Sequence, residues 1–494
     1  MQTTVQRVQS AGDEKTQLLL GSARRCLQQN QLIEAAKFFL EVMRRQPDCL
    51  EACWHLGLVL NQLNQLDHAL LCLRTAESLA PNSPKINLAL GSVLKRLNRF
   101  DEAALCCQRE MQIDPANADA AYNFGLVLQN LERFDEAAAA YRRALELRPG
   151  YVDALVNLGS LLREQGQPEN ALACFEEALL CEPENPEPHW ELCTTLLSLG
   201  RFERGWKEYK WRWKLKNFTT PPEKFPTPVW DGSDLAGRTI LLHGEQGFGD
   251  IIQFARYASL VARRHGEVIL ACPKPLRGLL ETVPGVRQVV TSRDTIPHFD
   301  VHAPLLSLPA IFQTSLQTVP NEIPYLFPAE TGMPLDKDPG RAFNVGLVWA
   351  GDPAHRNDRN RSMPLDLFQQ LAWLPSVRWH SLQVGARAAD FARLNTSCRF
   401  VDLGSRFRDF TDTAQAIAQL DLVISVDTAV THLAGALGKP VWTLLPYAAE
   451  WRWMHEREDT PWYPTMRLFR QKSPGDWKGL LAQVSSELHR LSST

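Results

Sequence analysis

The fold class expected of this 494-residue chain is multidomain: an all-α repeat solenoid followed by an α/β region of two doubly wound, Rossmann-like domains. Three observations predict it. Pro47, Pro81, Pro115, Pro149 and Pro183 recur at a step of 34 residues, and Gly57, Gly91, Gly125 and Gly159 keep the same step. Beyond Thr239 the pattern changes to short apolar runs separated by stretches of helical spacing, the signal for parallel strands with crossover helices. A proline-rich break, Pro324 to Pro339, splits that second region in two.

A 34-residue period is that of the tetratricopeptide repeat, and each position supports it. An apolar residue precedes each glycine (Leu56, Leu90, Phe124, Leu158), a small one follows twelve residues later (Ala69, Ala103, Ala137, Ala171), and a filler comes after it (Leu73, Cys107, Tyr141, Phe175). Large and small side chains at fixed offsets let two helices touch and let each pair stack on the next. The proline ends the second helix because it lacks the N–H that would continue it. Atypical end units are expected of a solenoid, and Ala23 and Cys193 stand where the glycine would be in the first and last.

Composition narrows the class. A hydrophobic fraction of 45% is ample for packed cores, and a formal charge of −3 gives no excess to favour nucleic acid or an anionic membrane. Nine of the eleven cysteines lie in the repeats, several at packing positions, which suits free thiols in a reducing compartment. No Cys-x-x-Cys pair suggests zinc, no signal peptide opens the chain, and no apolar run is long enough for an integral membrane segment. The expected location is cytoplasmic.

The last solenoid helix carries Gly205, Trp206, Tyr209, Trp211 and Trp213, an aromatic load that needs a partner to bury it, and the next domain is the expected cover. The expected strands are Thr239 to His243, Val268 to Cys272, Arg287 to Val290, Val345 to Trp349, Trp379 to Gln383, Phe400 to Leu403, Leu422 to Val426 and Val441 to Leu445. They form two sheets of similar size, with a ligand cleft between the carboxyl ends of their strands.

Three strand-to-helix turns carry chemistry. The first is Gly244-Glu245-Gln246-Gly247-Phe248-Gly249-Asp250, where Gly247 and Gly249 permit close backbone approach of a ligand. Asp250 reads equally as a helix cap and as a general base for an acceptor hydroxyl, with Glu245 the second candidate base. This turn is not the Gly-x-Gly-x-x-Gly fingerprint, so no nicotinamide or flavin cofactor is expected. The second turn runs from Gly351 to Ser362 and crowds His355, Arg356, Arg359 and Arg361 at a strand's carboxyl end, suited to a diphosphate. The alternative is a solvated basic loop paired with Asp352 and Asp358. The third is Asp427-Thr428-Ala429-Val430-Thr431-His432, where a helix begins at once after a buried strand and its free N–H groups suit a phosphate. His432 is expected to donate to a departing diphosphate in preference to a packing role, and Gln383 at the end of its strand joins the donor-binding set.

At these residues the chain resembles bacterial proteins in which tetratricopeptide repeats are fused to a region similar to the family 9 (heptosyltransferase-like) glycosyltransferases, a two-domain GT-B fold. The likeness covers Thr239 to the C-terminus, and is carried by Asp427-Thr428-x-x-x-His432-Leu-Ala-Gly-Ala-Leu-Gly-x-Pro440 and less specifically by Gly247-Phe248-Gly249-Asp250. It implies Asp250 as catalytic base and Asp427, Thr428 and His432 in the sugar-nucleotide stretch. Where the family keeps a phosphate-contacting lysine this chain has Arg361, which keeps the charge but presents a planar fork, so the donor implied for that family does not transfer directly. A weaker likeness to protein O-GlcNAc transferases points to a polypeptide acceptor. Asn123 and Asn157, equivalent positions in successive repeats, are the candidate peptide-binding amides, although His55, Ala89 and Glu191 break that series.

The organisation expected is an N-terminal tail (1–15), repeats with an aromatic capping helix (16–216), a linker (217–238), an acceptor-side GT-B domain (239–335) and a nucleotide-sugar domain (336–494). The function expected is glycosyl transfer from a nucleotide sugar to an acceptor, by inverting displacement without a metal; the lone Asp-x-Asp, Asp336-Lys337-Asp338, has no strand before it. The competing reading is a repeat scaffold with a degenerate transferase region, and a third is a sugar-nucleotide epimerase on the same fold.

Overall fold

The computed structural model describes residues 2–216, 218, 223, 225–293, 296–329, 343–355, 357–371, 374, 376–393 and 400–492. It divides into two compact units, Met1–Leu162 with Ala173–Pro183, and Arg163–Leu172 with Glu184–Thr494.

The first unit is helical. Helices pair across short turns, Leu50–Gln62 with Leu66–Leu79, Ile86–Arg96 with Phe100–Ile113, and Ala118–Asn130 with Phe134–Leu147. The repeated glycines are explained by the fillers. A Cβ would stand 2.6 Å from Leu73 at Gly57, 3.2 Å from the Cys107 sulfur at Gly91, 2.6 Å from the Tyr141 ring at Gly125 and 2.5 Å from the Phe175 ring at Gly159. Helix contact is therefore set by a large side chain pressed onto bare backbone. Residues 1–15, expected as a tail, fall within the helix Gln2–Gln28 from residue 2 onward.

The second unit begins inside the repeats rather than at the linker. Helices Pro186–Ser198 and Phe202–Tyr209 and the 3-10 turn Lys210–Lys214 belong to it. Trp206 is 4% exposed, donates its indole N–H to Thr314 O at 2.9 Å and meets Trp451 edge-on with ring centroids 5.4 Å apart. Of the linker expected over 217–238, Pro228 and Trp230 join the fold: Trp230 N donates to His302 O at 2.8 Å and His302 N to Pro228 O at 3.1 Å, and Trp230 is buried.

Two all-parallel sheets follow. The first holds β1 (Thr239–His243), β2 (Glu267–Ala271), β3 (Val286–Val290) and β4 (Val301–Pro304), in the order β3-β2-β1-β4. The second holds β5 (Phe343–Val348), β6 (Val377–Ser381), β7 (Phe400–Asp402), β8 (Leu422–Val426), β9 (Val441–Leu445) and β10 (Met466–Arg470). Its order is β10-β9-β8-β5-β6-β7. β4 and β10 were not expected, and among the described residues the sheets hold four and six strands rather than similar numbers. The second order is that of a doubly wound dinucleotide-type sheet, whose topological switch point lies between β5 and β8. The two lobes meet where the helix Phe248–Phe254 packs on the helix Ala429–Ala436, and the connector returns along the latter through Tyr325 N to Ala436 O at 3.0 Å. The connector residues 330–342, with Asp336-Lys337-Asp338, lie outside the described residues. Among the described residues no helix is long and apolar enough to cross a membrane.

Candidate active site at the strand switch point

β5 and β8 are neighbours, Val348 paired with Ser425, so the segments leaving their carboxyl ends emerge side by side. One carries Gly351 and the helical turn Asp358–Arg361; the other carries Asp427, Thr428 and the helix Ala429–Ala436. Arg361 lies across Gly351, where a Cβ would be 2.5 Å from its Nη2, and Arg361 Nη1 reaches Asp427 O at 3.4 Å. A side chain at Gly351 would displace the guanidinium from this position. Buried Asp358 steadies the turn, accepting from Ser362 Oγ at 2.6 Å, while Ser362 Oγ accepts from Gly351 N at 3.0 Å. Arg356 lies outside the described residues.

Thr428 is the N-cap of the helix in extended backbone, but its hydroxyl turns to Ser425 Oγ at 3.2 Å and makes no cap bond. No side chain caps the first N–H groups of that helix, those of Ala429 and Val430, while Thr431 N donates to Thr428 O at 3.1 Å. Burial pushes the Asp427 carboxyl up, while the Trp453 indole, Arg361 and Arg452 pull it back.

Facing this from the first lobe is Asp250. Its Oδ2 accepts from Gly247 N at 2.9 Å, a capping contact, and its Oδ1 accepts from Arg452 Nη2. Arg452 sits in the turn Trp451–Trp453 after β9 and also binds Gln253 Oε1 at 2.6 Å and Glu450 Oε1 at 2.5 Å. Neither Arg452 nor Glu450 was expected at the site from the sequence, although Glu450-Trp451-Arg452-Trp453 sets opposite charges among tryptophans.

Three expected site residues are placed otherwise. Glu245 is no free base: its side chain is 1% exposed and accepts from Arg212 Nη2 at 2.9 Å and Nε at 3.3 Å, and burial raises its carboxyl against that pairing. Gln383 is a backbone clamp, accepting from Trp349 N at 3.2 Å and Ala350 N at 3.0 Å and donating to Ala350 O at 3.0 Å and Val384 O at 3.1 Å. Its amide is spent on shaping the loop after β5. His432 is a packing residue, 5% exposed, stacked on Trp453 at 5.1 Å and bonded through Nδ1 to Tyr463 Oη at 3.0 Å. Burial drives its pKa far down, which favours the neutral ring. Its ring also explains Gly249, where a Cβ would meet His432 Cδ2 at 3.0 Å.

In the repeats, Asn123 Nδ2 donates one turn back to Asp119 O at 2.8 Å, and Asn157 Nδ2 to Asp153 O at 2.8 Å and Tyr122 Oη at 3.2 Å. Among the described residues, no group of three or more His, Cys, Asp or Glu side chains is arranged to hold a metal ion.

Comparison with known proteins agrees with this division. The model described as tetratricopeptide repeat matches residues 50–83 and 122–187, and the one described as glycosyltransferase family 9 (heptosyltransferase) matches residues 377–473. The chain thus carries tetratricopeptide repeats and a family 9 glycosyltransferase segment. That segment includes Asp427, Thr428, His432, Glu450 and Arg452, while Asp250 and Arg361 lie before it. Protein FlbA of Caulobacter vibrioides is 28% identical over 327 residues, covering 60% of this chain and 54% of FlbA, so the chain spans about half the length of that curated relative. Among solved structures, a MamA fragment from Desulfovibrio magneticus is 22% identical over 35% of this chain and 97% of its own, with a TM-score of 0.33. A thermophilic repeat protein from Thermus thermophilus is 21% identical over 37% of this chain and 99% of its own, with a TM-score of 0.32.

Proposed function

We propose that this chain is a glycosyltransferase that moves a sugar from a nucleotide sugar to an acceptor hydroxyl by metal-independent inverting displacement. The observation that carries the reading is the pairing, at the switch point of the six-stranded sheet, of Arg361 with an uncapped helix N-terminus, opposite Asp250 of the other lobe. The diphosphate of the donor is held by Arg361 and the N–H groups after Thr428. The acceptor oxygen bonds to the anomeric carbon as the carbon–oxygen bond to the diphosphate breaks, and Asp250 takes the hydroxyl proton. Arg361 and the helix offset the charge gathering on the leaving group. The acceptor is a polypeptide recruited by the repeats, with the amide oxygens of Asn123 and Asn157 as contacts.

A binding-only scaffold is the second reading, favoured by the engagement of both Asp250 oxygens. Incubating the full chain with a panel of nucleotide sugars and bacterial peptide fractions, and reading nucleoside diphosphate release and peptide mass, separates the two. Transfer from one donor, lowered about 10²–10⁴-fold in Asp250→Asn, supports the enzyme. Release from no donor, with peptides still retained by the repeats, supports the scaffold.

A further inference from the structure

Arg452 touches the candidate base and borders the candidate anion site at once. Its side chain is 9% exposed and wedged on the Trp451 ring, 4.5 Å from guanidinium carbon to ring centroid. Glu450 anchors it from its own lobe, taking both Arg452 Nη1 at 2.5 Å and Arg452 N at 3.0 Å, and Gln253 of the other lobe holds Nε at 2.6 Å. The remaining arm, Nη2, goes to Asp250 Oδ1. The pair sits beside the start of the helix Ala429–Ala436: a Cβ on Gly249, next to Asp250, would stand 3.5 Å from Ala429 Cα, and Trp453, next to Arg452, stacks on His432 of that helix at 5.1 Å.

This arrangement is poor for proton abstraction and good for control of it. Both Asp250 oxygens are already taken, one by Gly247 N and one by Arg452 Nη2, so neither is free to accept from an acceptor hydroxyl. A diphosphate, with more charge and more acceptor oxygens, competes for a planar guanidinium better than one carboxylate oxygen does. We infer that Arg452 is a diphosphate-binding residue parked on Asp250 until the donor arrives, when the Nη2 arm moves from the carboxylate to the diphosphate and releases Asp250 for the acceptor proton. The inference rests on the nucleotide-sugar reading above. It links donor binding to base activation: Asp250 is unmasked only when a leaving group is in place, which guards against reaction at an empty site. No bond is made or broken in the exchange; one charge-assisted hydrogen bond replaces another.

Competition predicts a gain of affinity on removing the base. Full-length protein is titrated by calorimetry with UDP, GDP, ADP, CDP and dTDP, each beside its parent nucleoside, in the wild type, Asp250→Asn, Arg452→Gln and the double variant. For the diphosphate that binds, Asp250→Asn should tighten Kd about fivefold or more, within the usual range of site-to-site coupling. Arg452→Gln should weaken it, and the double variant should match Arg452→Gln within about twofold, because the competitor no longer matters once the arginine is gone. Nucleoside binding should not change. A Kd unchanged in Asp250→Asn overturns the inference, and so does a gain that persists in the double variant, which would mark a general field effect of the lost charge. Binding of no diphosphate to any variant overturns the nucleotide-sugar reading and this inference with it, whereas wild-type binding without coupling overturns this inference alone. If Arg452→Gln shows no cooperative thermal transition, Arg452→Lys replaces it; lysine lacks the fork that shares two partners, so the Asp250→Asn gain should fall below about twofold there.

Discussion

Arg212→Met should cost the second unit about 3–5 kcal/mol at pH 7.5, the range for stripping one partner from a buried ion pair. Arg212 is 2% exposed and donates to Glu245 at 2.9 and 3.3 Å, to Ser307 Oγ at 2.7 Å and to Tyr209 O at 3.1 Å. It also lies over the Tyr209 and Trp213 rings at 4.7 and 4.1 Å. Methionine fills much of the space but leaves the Glu245 carboxylate buried without a cation. Burial already raises the Glu245 carboxyl, so its contribution is fully present below the unfolded value near ~4.3 and fades as pH rises through the folded value. Without Arg212 the folded value rises further. The deficit should therefore shrink as pH falls toward 5, by up to ~1.4 kcal/mol per pH unit where only the folded state holds the proton. Urea unfolding followed by intrinsic fluorescence reads this unit directly, because all but Trp54 of the 14 tryptophans lie beyond residue 184. Adding Glu245→Gln should recover part of the loss. A deficit under about 1 kcal/mol, or one that does not vary with pH, would mean that Glu245 is not left buried and uncompensated.

Three further outcomes are expected. Gly125→Ala, which sets a Cβ 2.6 Å from the Tyr141 ring, should destabilise the first unit by about 1–3 kcal/mol, and Gly91→Ala, 3.2 Å from the Cys107 sulfur, by less, as read by circular dichroism melts. A fragment starting at residue 163 should fold, whereas one starting at 217 should aggregate, because the latter lacks Trp206, Tyr209 and Arg212 that complete the core of the second unit; soluble yield and a cooperative melt decide it. Burial lowers the pKa of His432, of His243 to about 3 and of His380 to about 4, so each supports the fold above its unfolded value near ~6.5 and withdraws that support as pH falls toward the folded value. His380→Asn, tested by denaturant midpoints between pH 7 and 4.5, should flatten the acid slope by up to ~1.4 kcal/mol per pH unit.

The repeats were legible because a period survives drift at any one position: every pressed glycine and its filler kept their offset. The same period also runs through Asn30, Asn64, Asn98 and Glu132, all at positive φ between 56° and 60° where a first helix ends, a turn signal present in the sequence and not read there. Strands β1, β8 and β9 matched residue for residue because continuous apolar runs mark strands buried on both faces. β4 and β10 hid behind a histidine and a proline in one and two arginines in the other. The placing of Asp250 beside Arg452 could not be read, since the two are 202 residues apart and meet only once the two lobes pack. Glu245, Gln383 and His432 misled because a polar side chain looks the same in sequence whether it meets a ligand or the protein itself: Glu245 meets Arg212, Gln383 the backbone after β5, and His432 Tyr463 and Trp453.

The proposed transfer requires the diphosphate to lie at the switch point. A crystal structure of the full chain with the nucleoside diphosphate that binds tightest should show both phosphates between Arg361 and the N–H groups of Ala429 and Val430, with the base along the carboxyl ends of β5 and β8. Phosphate density at the carboxyl ends of the four-stranded sheet instead, or none at millimolar nucleotide, would contradict it.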